Sequence, residues 1–343
     1  MPNNSKNNYI SIAKALGIIL MVTGHSGCPT PIGKFIYLFH MPLFFVCSGY
    51  FFKEISDRPS LMSFYKKRMK GLYLPYLKWS TLFLLLHNLL RFLHITGSVY
   101  YQIEDYIRQF IKLIAMTDYE LLIRPFWFIK ELLLASLIVA TISFFTSRLS
   151  NRIIPEFLFI IALIASVISK LLPPFPLIGD CSVLCLSILY YYTGILLYKY
   201  KNHLPLTYTT MTLSFFIVLI GSIFFVGNVD MRFTTLYNQI PYYILSITGI
   251  IMILCISLKL EIINNISALY YIGNHTMPIL ALNLLALKFG NLIKILIYEL
   301  PLERLSSYTI IYENNTCFWL VYTVIGVVIP MIIYILYHRF IVR

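Results

Sequence analysis

Residues 12-IAKALGIILMVTGHS-26 place ten mostly apolar residues between Lys14 and His25. A run this greasy reads as a buried or membrane-crossing helix, yet it carries a cation near one end and a titratable imidazole at the other. At 100° per residue, eleven positions come to about 20° past three full turns, so both side chains project from one helix face. Their Cα atoms then stand roughly 16 Å apart along the axis. Ionisable groups inside an apolar span are costly, which makes each a functional candidate.

The rest of the chain shares that character. Its 343 residues are 59% hydrophobic, 16% aromatic and only 12% charged, against roughly 25% charged in a soluble domain. Water cannot cover such a surface, so the fold class is all-α, a polytopic transmembrane helical bundle. One span takes about 20 apolar residues, and this template finds about ten. They fall at about 9–27, 35–53, 73–94, 125–146 and 153–171, then 180–198, 207–227, 240–258, 267–288 and 317–338. The segment 289-FGNLIKILIYELPLERL-305 is amphipathic enough to lie in the interface or to lengthen a span. No internal repeat or low-complexity tract is visible, and no stretch is long enough for a separate soluble domain. Residues 1–343 therefore read as one integral-membrane domain. The first apolar run follows only a short polar segment without a small-residue cleavage site, so it reads as a retained span.

The net charge of +13 is concentrated between the apolar runs. Lys66, Lys67, Arg68, Lys70 and Arg152, with Lys6, Arg339 and Arg343 in the tails, are most frequent on one side of the ten-span layout. The positive-inside rule then puts both termini in the cytoplasm. Nucleic acid is not expected as a partner, because no soluble basic domain exists to carry it. The six cysteines include no CxxC pair and imply neither a disulfide framework nor a metal site.

Further candidates lie in or beside the spans. In 36-IYLFHMPLFFVCSGYFFK-53, His40 falls near the outer end of the second span, at the expected depth of His25. Pro42 loosens the backbone bonding there, and Ser48-Gly49 offers a small patch for close helix approach. Two histidines at one depth suit proton movement near neutral pH. Glu131 follows Lys130 at the start of the fourth span, and the basic loop 64-FYKKRMKGLYLPYL-77 sets Lys67, Arg68 and Lys70 where a phosphate-bearing ligand could be met. His275 begins a later apolar run and Asn283 lies within it. Phosphate loop, nucleophile elbow, zinc-binding HExxH and dinucleotide fingerprint are all missing from the sequence.

Lys14-x10-His25, 39-FHMPLFFVCSGYFF-52, 66-KKRMKGLYLPYL-77, 126-FWFIKELLL-134 and 272-IGNHTMPIL-280, in that order, resemble the membrane-bound acyltransferase family 3. Within that family they look most like the fucose 4-O-acetylase-like branch of O-acetyltransferases. The resemblance implies a multi-pass protein of the cell membrane, the inner or plasma membrane of a bacterium. It would pass an acetyl group from cytoplasmic acetyl-CoA to a hydroxyl of an extracytoplasmic or lipid-linked glycan, such as a capsular, O-antigen, exopolysaccharide or glycolipid sugar. By position, His25 would be the essential histidine and Arg68 the family's basic residue before the third span. The residues themselves then suggest His25 as general base or transient acyl carrier, with Glu131 and His40 as catalytic companions. Lys14, Arg68, Lys67 and Lys70 would meet the donor. No metal is implied, the lipid bilayer is a partner, and a homodimer stays open. Lys14 stands where an Arg-x10-His pattern is more usual, and Asn283 where many relatives end a late span in histidine. A proton-coupled glycolipid or polysaccharide transporter, or a flippase, is the alternative for the same titratable groups. It would be marked by broken helices in two matched halves, and the sequence carries no such pairing.

Overall fold

The computed structural model describes residues 8–149, 153–175, 180–263, 266–313 and 317–340; Lys6, Arg152 and Arg343 lie outside them. Among the described residues the regular structure is helical. The first helix, α1 (Asn8–His25), is followed by α2 (Thr30–Tyr37), α3 (His40–Tyr50) and α4 (Arg58–Arg68). A π-helix, Met69–Tyr73, joins α4 to α5 (Leu74–Phe92), and α6 (Ile103–Ile114) comes next. A 3-10 segment, Leu121–Phe126, leads into α7 (Trp127–Thr146), α8 (Ile154–Ile168), α9 (Cys181–Lys199), α10 (Tyr208–Phe224) and α11 (Gln239–Glu261). Last come α12 (Ser267–Asn274), α13 (Thr276–Tyr298) and α14 (Phe318–Phe340).

Among the described residues, 7 helical segments are long and apolar enough to cross a membrane: Thr30–Tyr50, Leu121–Thr146, Ile154–Leu171, Cys181–Lys199, Gln239–Glu261, Thr276–Tyr298 and Phe318–Phe340. The other three expected spans are also helices, α1, α5 and α10. Asn8, Lys14 and His25 lower the hydropathy of α1, Lys78, His87 and Arg91 that of α5, and α10 has only 17 residues. The segment after 288 lengthens a span: α13 runs on to Tyr298 and ends at Glu299 in a left-handed conformation. The same span starts later than the sequence suggests, because the helix breaks between Asn274 and Thr276.

The described residues pack as two compact units, and α1 contributes to each. In the first (Met1–Gly17, Lys34–Leu74, Phe128–Gly273), α3 and α9 cross backbone to backbone. A Cβ on Gly49 would sit 2.0 Å from the Tyr191 carbonyl oxygen, and one on Gly194 2.1 Å from that of Val46. This is the close approach foreseen at Ser48-Gly49, where small residues let two spans touch. The break between α2 and α3 follows from Pro42. Lacking an N–H, it leaves the Leu38 carbonyl without its helical donor. Ser246 Oγ on α11 donates to that carbonyl at 2.5 Å, and Tyr242 OH donates to the Tyr37 carbonyl at 3.2 Å. Unsatisfied carbonyls are expensive inside a bilayer, so α11 holds the break in place.

In the second unit (Ile18–Gly33, Pro75–Trp127, Asn274–Arg343), α13 packs on α14, with Gly290 closed against the Tyr322 ring. One buried stripe of α13 straps down the chain that follows it. Lys288 Nζ donates to the carbonyls of Leu305 and Ser307, and Lys294 Nζ to that of Ile311 at 2.8 Å. Between them Asn291 Oδ1 accepts from Tyr322 OH at 2.7 Å.

Candidate active site

Arg68 is the best-defined of the expected residues. Asp57 caps α4 by accepting the Ser60 N–H at 2.8 Å, and Arg68 ends that helix just before the π-helix, a form found at functional positions. Its Nη2 donates to Ser48 Oγ at 3.0 Å and to Tyr191 OH at 2.9 Å. Ser48 adjoins Gly49, and Tyr191 supplies the carbonyl that Gly49 meets, so both acceptors belong to the α3–α9 crossing. Phe64 lies under the guanidinium, 4.9 Å from it. The half-buried side chain is thus oriented by protein contacts through one nitrogen. Both Nη2 hydrogens are thereby committed, and Nη1 and Nε–H, which point to different sides of the guanidinium, are the donors left to meet a carboxylate or phosphate oxygen singly.

Lys14, half-buried on α1, lies within electrostatic reach of the buried Cys47 thiol. Cys47 precedes Ser48, so Lys14 and Arg68 both address α3 at consecutive residues of the first unit. Lys67 and Lys70 are exposed to either side of Arg68. Lys130 and Glu131, in the first turns of α7, are buried, and Glu131 Oε2 has no hydrogen-bond partner. Asp180, at the N-cap of α9, is in electrostatic reach of Glu131. His40 is buried as the first residue of α3, and its Nδ1 donates to the Ile36 carbonyl at 2.9 Å across the helix break. A carbonyl only accepts, so Nδ1 carries a hydrogen.

His25 belongs to the second unit, half-buried as the last residue of α1. Gly27, with φ 72, stops the helix directly after it, and Ser26 Oγ donates to the Thr23 carbonyl at 2.7 Å. At this C-terminus the helix dipole favours positive charge. α1 is helical throughout, so the interval from Lys14 to His25 has the expected period. Asn283 is fully buried on α13; its Nδ2 donates to the carbonyls of Ile279 and Leu280, while Oδ1 has no partner. His275 precedes α13, its ring 5.0 Å from that of Tyr334.

The sequence reading passed over a buried pair in the second unit. His87 Nδ1 and Glu120 Oε2 stand 2.8 Å apart, and His87 Nε2 donates to the Val99 carbonyl at 2.9 Å. Tyr101 stacks on the imidazole with ring centroids 3.5 Å apart, and His87 and Glu120 line a small cleft with Phe83, Leu90 and Thr96. With Nε2–H committed to a carbonyl, one proton must sit between Nδ1 and Oε2. Burial pushes the Glu120 carboxyl up, more than His87 draws it down. A carboxyl raised in the folded state stabilises the protein below its ordinary range, and that contribution is lost as pH rises through the raised value. The thermal midpoint should therefore fall from acid to neutral pH, and Glu120→Gln should flatten this slope. Equal slopes in both proteins would exclude the pair as the cause.

Among the described residues, no group of three or more His, Cys, Asp or Glu side chains is placed to hold a metal ion. No curated protein and no solved structure matches the chain. A family described as an acyltransferase domain does, over residues 7–335. That span covers the Lys14 and His25 face, the Arg68 fork and Glu131 alike, and so the chain, with its apolar helices, belongs to acyltransferase family 3 as a multi-pass membrane acyltransferase.

Proposed function

We propose that this acyltransferase is an O-acetyltransferase, taking acetyl from cytoplasmic acetyl-CoA and passing it to a hydroxyl of an extracytoplasmic or lipid-linked glycan. Both termini are cytoplasmic in this reading, and the protein resides in the bacterial plasma or inner membrane. The Arg68 fork carries the donor half. One nitrogen, Nη2, is anchored on Ser48 and Tyr191, while Nη1 and Nε remain as single donors in a basic stretch with Lys67 and Lys70. A guanidinium cation held in place this way, with lysines beside it, suits the phosphates of coenzyme A. Lys14 adds positive charge further along α1, near α3.

His25 carries the transfer half. As general base, it takes the proton of the acceptor hydroxyl as that oxygen bonds to the acetyl carbonyl carbon. The carbon–sulfur bond breaks, and the proton passes to the departing thiolate to give free coenzyme A. As acyl carrier, an imidazole nitrogen forms the first bond to that carbon instead, and the hydroxyl takes the acetyl in a second step. Glu131, buried with one oxygen unpaired, is suited to orient a hydroxyl or an imidazole.

Arg68→Ala should weaken acetyl-CoA binding by roughly ten- to a hundredfold, the worth of about 1.5–3 kcal/mol for hydrogen bonds to a charged group. Arg68→Lys should restore little, since one ammonium nitrogen with three hydrogens cannot keep both protein acceptors and also replace the three donors on Nη1 and Nε. Calorimetric titration of the detergent-solubilised protein checks this, and unchanged affinity in Arg68→Ala would remove Arg68 from the donor site.

A further inference from the structure

The 12 residues of α6, Ile103–Ile114, divide into three sectors of about a third of the helix each. Ile103, Ile107, Phe110, Ile111 and Ile114 share an arc of roughly 100° and are all exposed, Ile103 by 73% and Ile107 by 58%. Glu104, Arg108 and Lys112 occupy the next arc and are also exposed. Gln109 and Leu113, on the third, are buried.

That third sector is fastened to α5 near both ends of the helix. Just before α6, Asn88 Nδ2 donates to the Tyr101 carbonyl and Asn88 Oδ1 accepts the Tyr101 N–H. Near its end, Tyr76 OH donates to the Leu113 carbonyl at 2.9 Å. α5 itself exposes Leu82, Leu85, Leu89 and Phe92 at helical spacing. The chain enters the apolar segment Leu121–Thr146 only a few residues beyond Ile114, which keeps α6 beside the bilayer.

A lone amphipathic helix on a soluble protein turns its apolar stripe inward, and α6 turns it outward. An apolar arc beside a charged arc, both clear of protein, matches a lipid–water boundary. We infer that α6 is a membrane-seated helix: its isoleucine stripe is in contact with lipid acyl chains, and its Arg108–Lys112 arc faces water. Docked so, it fixes the 99–120 connection, with Tyr101 and Glu120, at the membrane surface. The inference needs only that Leu121–Thr146 crosses the bilayer and does not depend on the acetyl-transfer reading.

A fluorescent unnatural amino acid at position 107, and separately at position 108, tests this in proteoliposomes of the full chain. Lipids brominated in their acyl chains should quench the label at 107 several-fold more strongly than the label at 108. Aqueous iodide should show the reverse order. A label at 107 quenched by iodide and untouched by brominated lipid would overturn the inference. So would a label at 107 shielded from both, which would mean that a second copy or another protein covers the stripe. If labelling at 107 disturbs folding, position 111 on the same stripe gives the same readout.

Discussion

His25→Ala is expected to abolish most acetyl transfer while leaving the helices intact. General acid–base catalysis by one positioned side chain contributes roughly 10²- to 10⁴-fold, so the loss should be at least about that large. If the imidazole also carries the acetyl group covalently, alanine removes the whole route. The end of α1 is set by its backbone rather than by this ring. The ring is half-buried at the end of α1, Gly27 stops the helix through its own backbone conformation, and Ser26 bonds the Thr23 carbonyl whichever residue lies between. Turnover of labelled acetyl-CoA measures the loss, with circular dichroism reporting that helix content is kept. A folded His25→Ala protein with full transfer would end the case for His25.

Gly194→Ala should be strongly destabilising. Its added methyl would lie 2.1 Å from the Val46 carbonyl oxygen and 2.8 Å from the Tyr50 nitrogen, both backbone atoms that cannot rotate aside. Relief requires α3 and α9 to separate, a change expected at or beyond the upper end of about 1–3 kcal/mol for overpacking. The damage would extend to function, since Ser48 on α3 and Tyr191 on α9 together orient Arg68. Gly71→Ala is the matched control, because a methyl there meets nothing within 4 Å. Thermal unfolding in detergent should show a marked drop for Gly194→Ala and almost none for Gly71→Ala. Equal midpoints would mean that the crossing is looser than its geometry implies.

Much of this was legible in the sequence. Apolar runs of membrane length place the helices because the bilayer allows little else, and Ser48-Gly49 with Pro42 announced both a close crossing and a helix break. Lys14, His25, Arg68 and Glu131 were visible because charge is scarce in such a chain. The partners were not visible. Glu120 meets His87 only once the 95–120 connection folds back, and nothing local marks that return. Lys288 and Lys294 find backbone carbonyls rather than acids, and carbonyls leave no trace in composition. His87 did carry a usable signal, a histidine inside an expected span. Lys14 keeps its question: it lies near a thiol on α3, where a planar guanidinium would make different contacts.

The most direct test of the central claim uses sided proteoliposomes, with labelled acetyl-CoA on the face bearing Arg68 and a glycan extract on the other. The account predicts that label appears in the glycan as an ester, with the wild-type protein and not with His25→Ala. Glycan crossing the bilayer without gaining label would contradict it and make the protein a carrier.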